Sequence, residues 1–197
     1  MVSGISIISL IIAIASYMES SESNEIARSA QKFVLEQDAS NKSIVLTATF
    51  DNNLELMKIK PTIDSFNLQY SMVYFPEKIW GTPITAENPE LAIQLFGVSE
   101  KLIQDAENKY AKALSAIDNN NDTTVAAYSD LLPIVIKSNY TTQGNIFNKR
   151  AVYYISYNVI LYADKRAPKL EFKNLSFISN INTETEISKY LNDKWSQ

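Results

Sequence analysis

The residues that come nearest to a metal-binding motif form a polar run in the middle of the chain. Asp118, Asn120 and Asp122 occupy the first, third and fifth positions of an EF-hand-like loop, where carboxylate and amide oxygens would ligate calcium. The sixth position holds Thr123 where the turn needs glycine, and the twelfth holds Ser129 where the motif supplies a bidentate glutamate. We therefore predict no metal site and keep this loop as the weak alternative.

Basic residues flank a tyrosine-rich segment at both of its ends. Tyrosine rings exposed on one sheet face beside these cations could bind a nucleotide or a peptide through stacking and cation–π contacts. The alternative is that the basic residues are solvated turn residues bordering a buried strand. The candidate ligand-binding residues are Lys149, Arg150, Tyr154, Tyr162, Lys165 and Arg166.

Histidine and cysteine are both absent from the 197 residues. Their absence excludes thiol nucleophiles, histidine general bases, disulfides and the usual zinc and haem ligand sets. No spacing in the sequence brings two acids together, so no carboxylate pair for acid–base catalysis is indicated. A formal net charge of −4 disfavours nucleic acid as a partner. We therefore expect a protein that is not an enzyme, uses no cofactor and binds no nucleic acid.

The N-terminal segment, residues 1–18, has no charged side chain and is rich in isoleucine. As a helix it would be roughly 27 Å long, close to the ~30 Å hydrocarbon core of a bilayer, so we predict a transmembrane anchor. Three alternatives stay open: a cleaved signal peptide, a helix buried in a partner protein, and a pilin-like stem. Small residues recur along one side of this helix, where they would favour self-association. They are Ser6, Ser9, Ala13 and Ser16.

A polar helix is predicted over residues 19–40 as a stalk. It includes the run Ser23-Asn24-Glu25-Ile26-Ala27-Arg28-Ser29-Ala30-Gln31. In its first 40 residues or so, the chain resembles a widespread set of small, uncharacterised bacterial single-span membrane proteins. The resemblance implies a single-pass anchor with a β-rich domain on one side, and it implies no activity. Because Arg28 and Lys32 follow the predicted span, we expect the domain to lie on the cytoplasmic side of the cell membrane.

Residues 41–197 are predicted to form a β-rich domain, in which apolar and polar side chains alternate along each strand. The predicted strands cover residues 43–50, 54–59, 66–74, 132–137, 152–163 and 170–177. The fifth keeps apolar residues on both faces, so we expect a central strand that is covered on both sides. The sixth changes phase near Lys173 and Asn174, which predicts a β-bulge.

Helices are predicted between and after these strands. Asn88 and Pro89 are typical of a helix start and predict a short helix that ends near Gly97. A longer amphipathic helix is predicted over 99–117, and a C-terminal helix over 183–195. The expected fold class is α+β: an N-terminal membrane-anchor helix, then a β-sandwich-like domain with a helical insertion and a C-terminal helix.

These features favour a membrane-anchored, non-enzymatic domain that recognises a partner protein or a small ligand. The alternative is a structural subunit of an assembly, such as a pilus-like filament or a membrane-containing virion, in which the N-terminal helix packs in a multimer. An enzyme that uses only Asp, Glu, Lys, Ser or Tyr is a third hypothesis, which a concave pocket collecting several acids would favour. The partners expected are the membrane, through residues 1–18, and a protein, which includes a second copy of the chain.

Overall fold

The computed structural model describes residue 28 and residues 44–87, 91–115, 125–142, 144–162 and 166–195. The chain divides into two compact units, Met1–Ser43 and Ile44–Gln197. The strands and helices described below belong to the second unit. Several predicted features lie outside the described residues: the anchor, its stripe of small residues, most of the stalk, and the loop with Asp118, Asn120 and Asp122. Within the described ranges, no helix is long and apolar enough to cross a membrane.

The described part of the second unit contains eight strands and two helices, which confirms a mixed α and β fold. In chain order they are β1 Leu46–Asp51, β2 Leu56–Pro61, β3 Asn67–Tyr74, β4 Ile84–Glu87, β5 Ala92–Gln94, α1 Phe96–Ser115, β6 Val125–Thr142, β7 Asn145–Tyr162, β8 Lys169–Asn180 and α2 Thr185–Trp195.

Five antiparallel strands form the larger sheet, in the order β4-β3-β6-β7-β8. Its longest strands form the β6–β7 hairpin. Each has 18 residues, and they pair from Val125 opposite Tyr162 to Thr142 opposite Asn145. Gly144 in the hairpin connection has a φ of 79°, a conformation that suits glycine at a tight turn. We call the two faces of this sheet the inner face and the outer face.

The inner face is covered by the smaller antiparallel sheet, ordered β1-β2-β5, and by α1. Alternate residues of β6 and β7, such as Leu132, Ile134 and Ile155, are fully buried there. Two side chains tie β1 and its turn to the larger sheet. The Tyr153 hydroxyl accepts a hydrogen bond from the Leu46 N–H at 3.1 Å. Asn52 donates to the Phe172 carbonyl at 3.2 Å and accepts from the Phe172 N–H at 2.9 Å.

The outer face is covered only in part, by α2. Ile187 and Leu191 of this helix are buried against Val135 of β6 and Val152 of β7, and Tyr74 packs at the margin. Farther along the hairpin, towards Tyr162, the outer face carries half-exposed and exposed side chains. At one end of the larger sheet the domain therefore has three layers, and at the other end the outer face of the sheet is open.

Three sequence predictions are corrected by these bounds. The short helix up to Gly97 is wrong: residues 88–90 lie outside the described residues, but β5 follows as a strand because it pairs with β2. The strand predicted over 132–137 is a third of β6. The strand predicted over 152–163 is the second half of β7, and β6 takes the central place in the sheet.

Other predictions are confirmed. The bulge predicted near Lys173 is present, because Ser156 pairs with Asn174 and Tyr157 pairs with Phe172. The long amphipathic helix and the C-terminal helix both form, the latter from Thr185. The second strand starts two residues later than predicted, because the Asp51 carboxylate accepts hydrogen bonds from the Asn53 and Leu54 N–H groups and extends the turn.

Candidate binding surface

The two tyrosines singled out in the sequence, Tyr154 and Tyr162, lie on the outer face of β7. They share a face because they are separated by an even number of residues in one strand, and both are half-buried. Eight residues of strand place them about 26 Å apart. They therefore mark the two ends of a surface and do not line one pocket.

The basic residues at the two ends of β7 also lie apart from one another and do not form one patch. Lys149 and Arg150 are consecutive in the strand, so their side chains leave on opposite faces of the sheet. Arg150, on the outer face, donates to the Asn182 carbonyl at 3.4 Å and to the Glu184 carboxylate at 3.3 Å. At the far end, the Arg166 guanidinium lies over the Tyr162 ring, 4.5 Å from its centroid. Lys165 lies outside the described residues.

Between the two tyrosines, the outer face carries small polar and aliphatic side chains. The Ser129 hydroxyl donates to the Asn158 side-chain oxygen at 2.8 Å and links β6 to β7 across this face. Leu131 is 51% exposed, which is unusual for a leucine within a strand. We call this surface the open strip: Ala127, Ser129 and Leu131 of β6, and Ser156, Asn158 and Ile160 of β7.

A groove with a volume of about 310 Å³ runs between α2 and the end of β8. Val152 and Ile181 give it an apolar floor, and one face of α2 gives it a polar wall of Glu186, Lys189, Tyr190 and Asp193. We call it the helix groove. Burial, and then a hydrogen bond with Tyr154, raises the pKa of Tyr190. On the same face of β7, Tyr154 lies between Val152 of the helix groove and Ser156 of the open strip, so it stands where the two surfaces meet.

Glu184 fixes the start of α2, and with it the helix groove. Its carboxylate accepts hydrogen bonds at 3.3 Å from Lys137, from Arg150 and from the Tyr74 hydroxyl. The hydrogen bond to Lys137, with smaller contributions from its charge and that of Arg150, lowers the pKa of Glu184. Arg150, proposed from sequence as a ligand-binding residue, thus holds α2 in place.

A second concave site, which the sequence did not reveal, lies between α1, β6 and the end of α2. It has a volume of about 270 Å³, and we call it the charged cleft. Its lining residues are Lys78, Asp105, Lys109, Asp130, Leu131, Lys194 and Trp195. They come from four separate segments, so no local sequence motif predicts them.

A cluster of phenols lies beside the charged cleft on the inner face. Tyr110 of α1 contacts Tyr128 of β6 at 4.9 Å between ring centroids, and Tyr128 contacts Tyr157 of β7 at 6.3 Å. Burial raises the pKa of Tyr128 to about 12 and that of Tyr157 higher still, with Asp105 and Asp130 adding to both shifts. Tyr128 and Tyr157 therefore stay protonated at neutral pH.

The side chains at these sites can donate and accept hydrogen bonds and make apolar contacts. In the described ranges, no three acidic side chains converge in a way that could hold a metal ion. The open strip and the helix groove offer hydroxyls, amides, a tyrosine pair and an apolar floor, which suit binding of a polypeptide. Comparisons with protein-family models, curated proteins and solved structures found no match to this chain.

Proposed function

We propose that the chain is a membrane-tethered, non-enzymatic binding protein whose outer face holds a segment of a partner protein. The observation that carries the proposal is the continuity of the helix groove with the open strip at Tyr154. A surface that combines a partly apolar groove with exposed tyrosine is typical of protein interaction sites.

An extended peptide matches this surface in length and chemistry. The open strip and its two tyrosines span about 26 Å, the length of eight residues in extended conformation. Val152 and Ile181 would receive an apolar side chain in the helix groove, and Glu186, Lys189 and Asp193 would contact polar ones at its rim. Leu131 and Ile160 supply apolar contacts along the open strip.

The tether is the apolar segment of residues 1–18, and its expected place is the cell membrane with the β-rich domain on the cytoplasmic side. A tether raises the local concentration of the binding surface near other membrane proteins, which strengthens even a modest interaction. A partner in or near the membrane is therefore expected. The lack of histidine and cysteine supports binding over catalysis as the activity.

Site-specific photo-crosslinking in cells that make the full chain tests the proposal. A photoreactive residue replaces Ser156 in the open strip in one version, and Thr49, which is exposed on β1 of the smaller sheet, in the control. We expect one discrete crosslinked protein from position 156 and none from position 49. Tyr154→Ser should lower that yield severalfold, whereas Tyr70→Ser, at a half-buried tyrosine of β3, should leave it unchanged.

Two results would contradict the proposal. Equal crosslinking from positions 49 and 156 would show that the open strip is not a binding surface. A crosslink between two copies of the chain would instead favour the structural-subunit alternative.

A further inference from the structure

The charged cleft gathers five ionisable side chains from parts of the chain that are distant in sequence. Lys78 lies in the connection between β3 and β4, Asp105 and Lys109 lie on α1, Asp130 lies on β6, and Lys194 lies in the last turn of α2. Side chains of like charge normally point away from one another into solvent, and bringing three ammonium groups to one cleft costs repulsion. Such a cleft is stabilised by a ligand of opposite charge.

The charges in the cleft do not balance internally. Lys109 pairs with Asp130 at 4.0 Å. In the part of the chain that the structure describes, Lys78, Lys194 and Asp105 have no ion-pair partner. Two unpaired ammonium groups against one unpaired carboxylate leave an excess of positive charge. A dianion would neutralise both ammonium groups.

The cleft also offers an aromatic surface. The half-buried Trp195 ring lines it beside Lys194, and Leu131 adds an exposed apolar side chain. Behind it, Tyr157 is 1% exposed, and its ring contacts that of Tyr128 with 6.3 Å between the centroids. Tyr157 pairs directly with Asp130 across the β6–β7 ladder, so this buried ring lies behind the wall of the cleft.

We propose that the charged cleft binds a small phosphomonoester that carries a planar ring. Lys78 and Lys194 hold the phosphate, which carries a charge of about −1.5 to −2 at neutral pH. The Trp195 indole stacks on the ring, and Asp105 accepts a hydrogen bond from a hydroxyl or amine of the ligand. The volume of about 270 Å³ matches a single-ring compound of this class. This site borders the open strip, with which it shares Leu131, but it does not depend on the proposed function.

Tryptophan fluorescence provides a direct assay, because the chain has two tryptophans and only Trp195 lines this cleft. In a Trp80→Phe background, the full chain in a non-ionic detergent and phosphate-free buffer is titrated with phenyl phosphate. We expect a saturable change in Trp195 emission. Saturation-transfer NMR of phenyl phosphate with the unsubstituted chain repeats the measurement with Trp80 in place.

Three variants define the chemistry of the site. Lys78→Gln with Lys194→Gln should weaken binding about a hundredfold, because each charge-assisted hydrogen bond to phosphate contributes about tenfold. Lys58→Gln with Lys60→Gln makes the same change in net charge on exposed residues of β2 and should leave the affinity unchanged. Asp105→Asn should tighten binding of inorganic phosphate, because it removes a repelling carboxylate.

Any of three results would overturn the proposal. One is the absence of saturable binding of phenyl phosphate in both the fluorescence and NMR measurements. Another is equal loss of affinity in the cleft pair and the β2 pair, which would reveal general attraction to a positive surface. Stronger binding of benzylamine than of phenyl phosphate would likewise show that the two aspartates, and not the lysines, select the ligand.

Discussion

Tyr153 joins the two sheets through one buried hydrogen bond, so Tyr153→Phe tests how much that single bond contributes to the stability of the fold. The side chain is 1% exposed and packs edge-on against Phe177, with ring centroids 5.7 Å apart. Its hydroxyl accepts the hydrogen bond from the Leu46 N–H across 107 residues of sequence. Phenylalanine keeps the ring and removes only the acceptor.

The loss should cost about 2 kcal/mol of unfolding free energy, because the buried Leu46 N–H is left without a partner. For a domain of this size, such a change lowers the melting temperature by about 4–8 °C. The assay is urea unfolding of the full chain in a non-ionic detergent at pH 8, followed by circular dichroism. Cooperative unfolding with an unchanged urea dependence would show that the fold itself is retained.

The pH dependence adds a second, independent test. Burial raises the pKa of Tyr153 to about 12 from its ordinary value of 10, even though its hydrogen bond to Leu46 acts the other way. The folded state therefore holds this proton more tightly than the unfolded state, so the stability it contributes is complete below pH 10 and declines as pH rises towards 12. By pH 11 the loss is about 1.4 kcal/mol, so the deficit of Tyr153→Phe should shrink to less than half.

Tyr140→Phe is the matched control. Tyr140 is equally buried in the same sheet, but its hydroxyl has no hydrogen-bond partner among the described residues. Removing it should leave the stability at pH 8 unchanged or slightly higher. If both variants lose the same free energy at pH 8, or if the Tyr153→Phe deficit grows between pH 9 and pH 11, the reasoning from the Leu46 hydrogen bond is refuted.

Three further changes probe the supports of the fold and the site. Gly97→Ala should destabilise the domain by about 1–3 kcal/mol in thermal unfolding, because the added methyl carbon would lie 2.3 Å from the Trp80 ring; a neutral result would contradict that contact. Asn52→Ala should cost about 1–3 kcal/mol and speed amide exchange at Phe172, which loses both backbone partners; unchanged exchange there would count against it. Glu184→Gln should make the unfolding free energy less dependent on pH in the acidic range, because the lowered pKa of Glu184 gives stability that is lost as pH falls through it. The same pH dependence in both proteins would show that Glu184 does not contribute in this way.

The strands that sequence reasoning located well are those with one polar and one apolar face. β1 alternates clearly, and burial follows the alternation. In β3 the alternation predicts the strand but not its buried face: a bulge between Leu68 and Tyr70 shifts the phase, so that Ser71 and Val73 are buried. The length of the β6–β7 hairpin is underestimated from sequence because its two ends lack a strongly apolar face: the turn end carries asparagine, threonine and glutamine, and the start of β6 carries alanine and serine. These end segments are strands because their backbones pair with each other, which composition does not record.

The sites were predictable only where they follow a single strand. The shared face of Tyr154 and Tyr162 follows from the two-residue repeat, and so does the separation of Lys149 from Arg150. The helix groove depends on how α2 docks, and the charged cleft depends on four segments meeting. Tertiary juxtaposition of this kind leaves no trace in spacing, so both sites had to be found in the structure.

The central claim is that residues 1–18 hold a binding domain at the membrane, and fractionation of the chain with and without those residues tests it most directly. After washing with high salt and alkaline carbonate, the full chain should stay with the membranes until detergent releases it, and the shortened chain should appear in the supernatant. Release of the full chain by the washes, or a shortened chain that remains in the membrane fraction, would contradict the account.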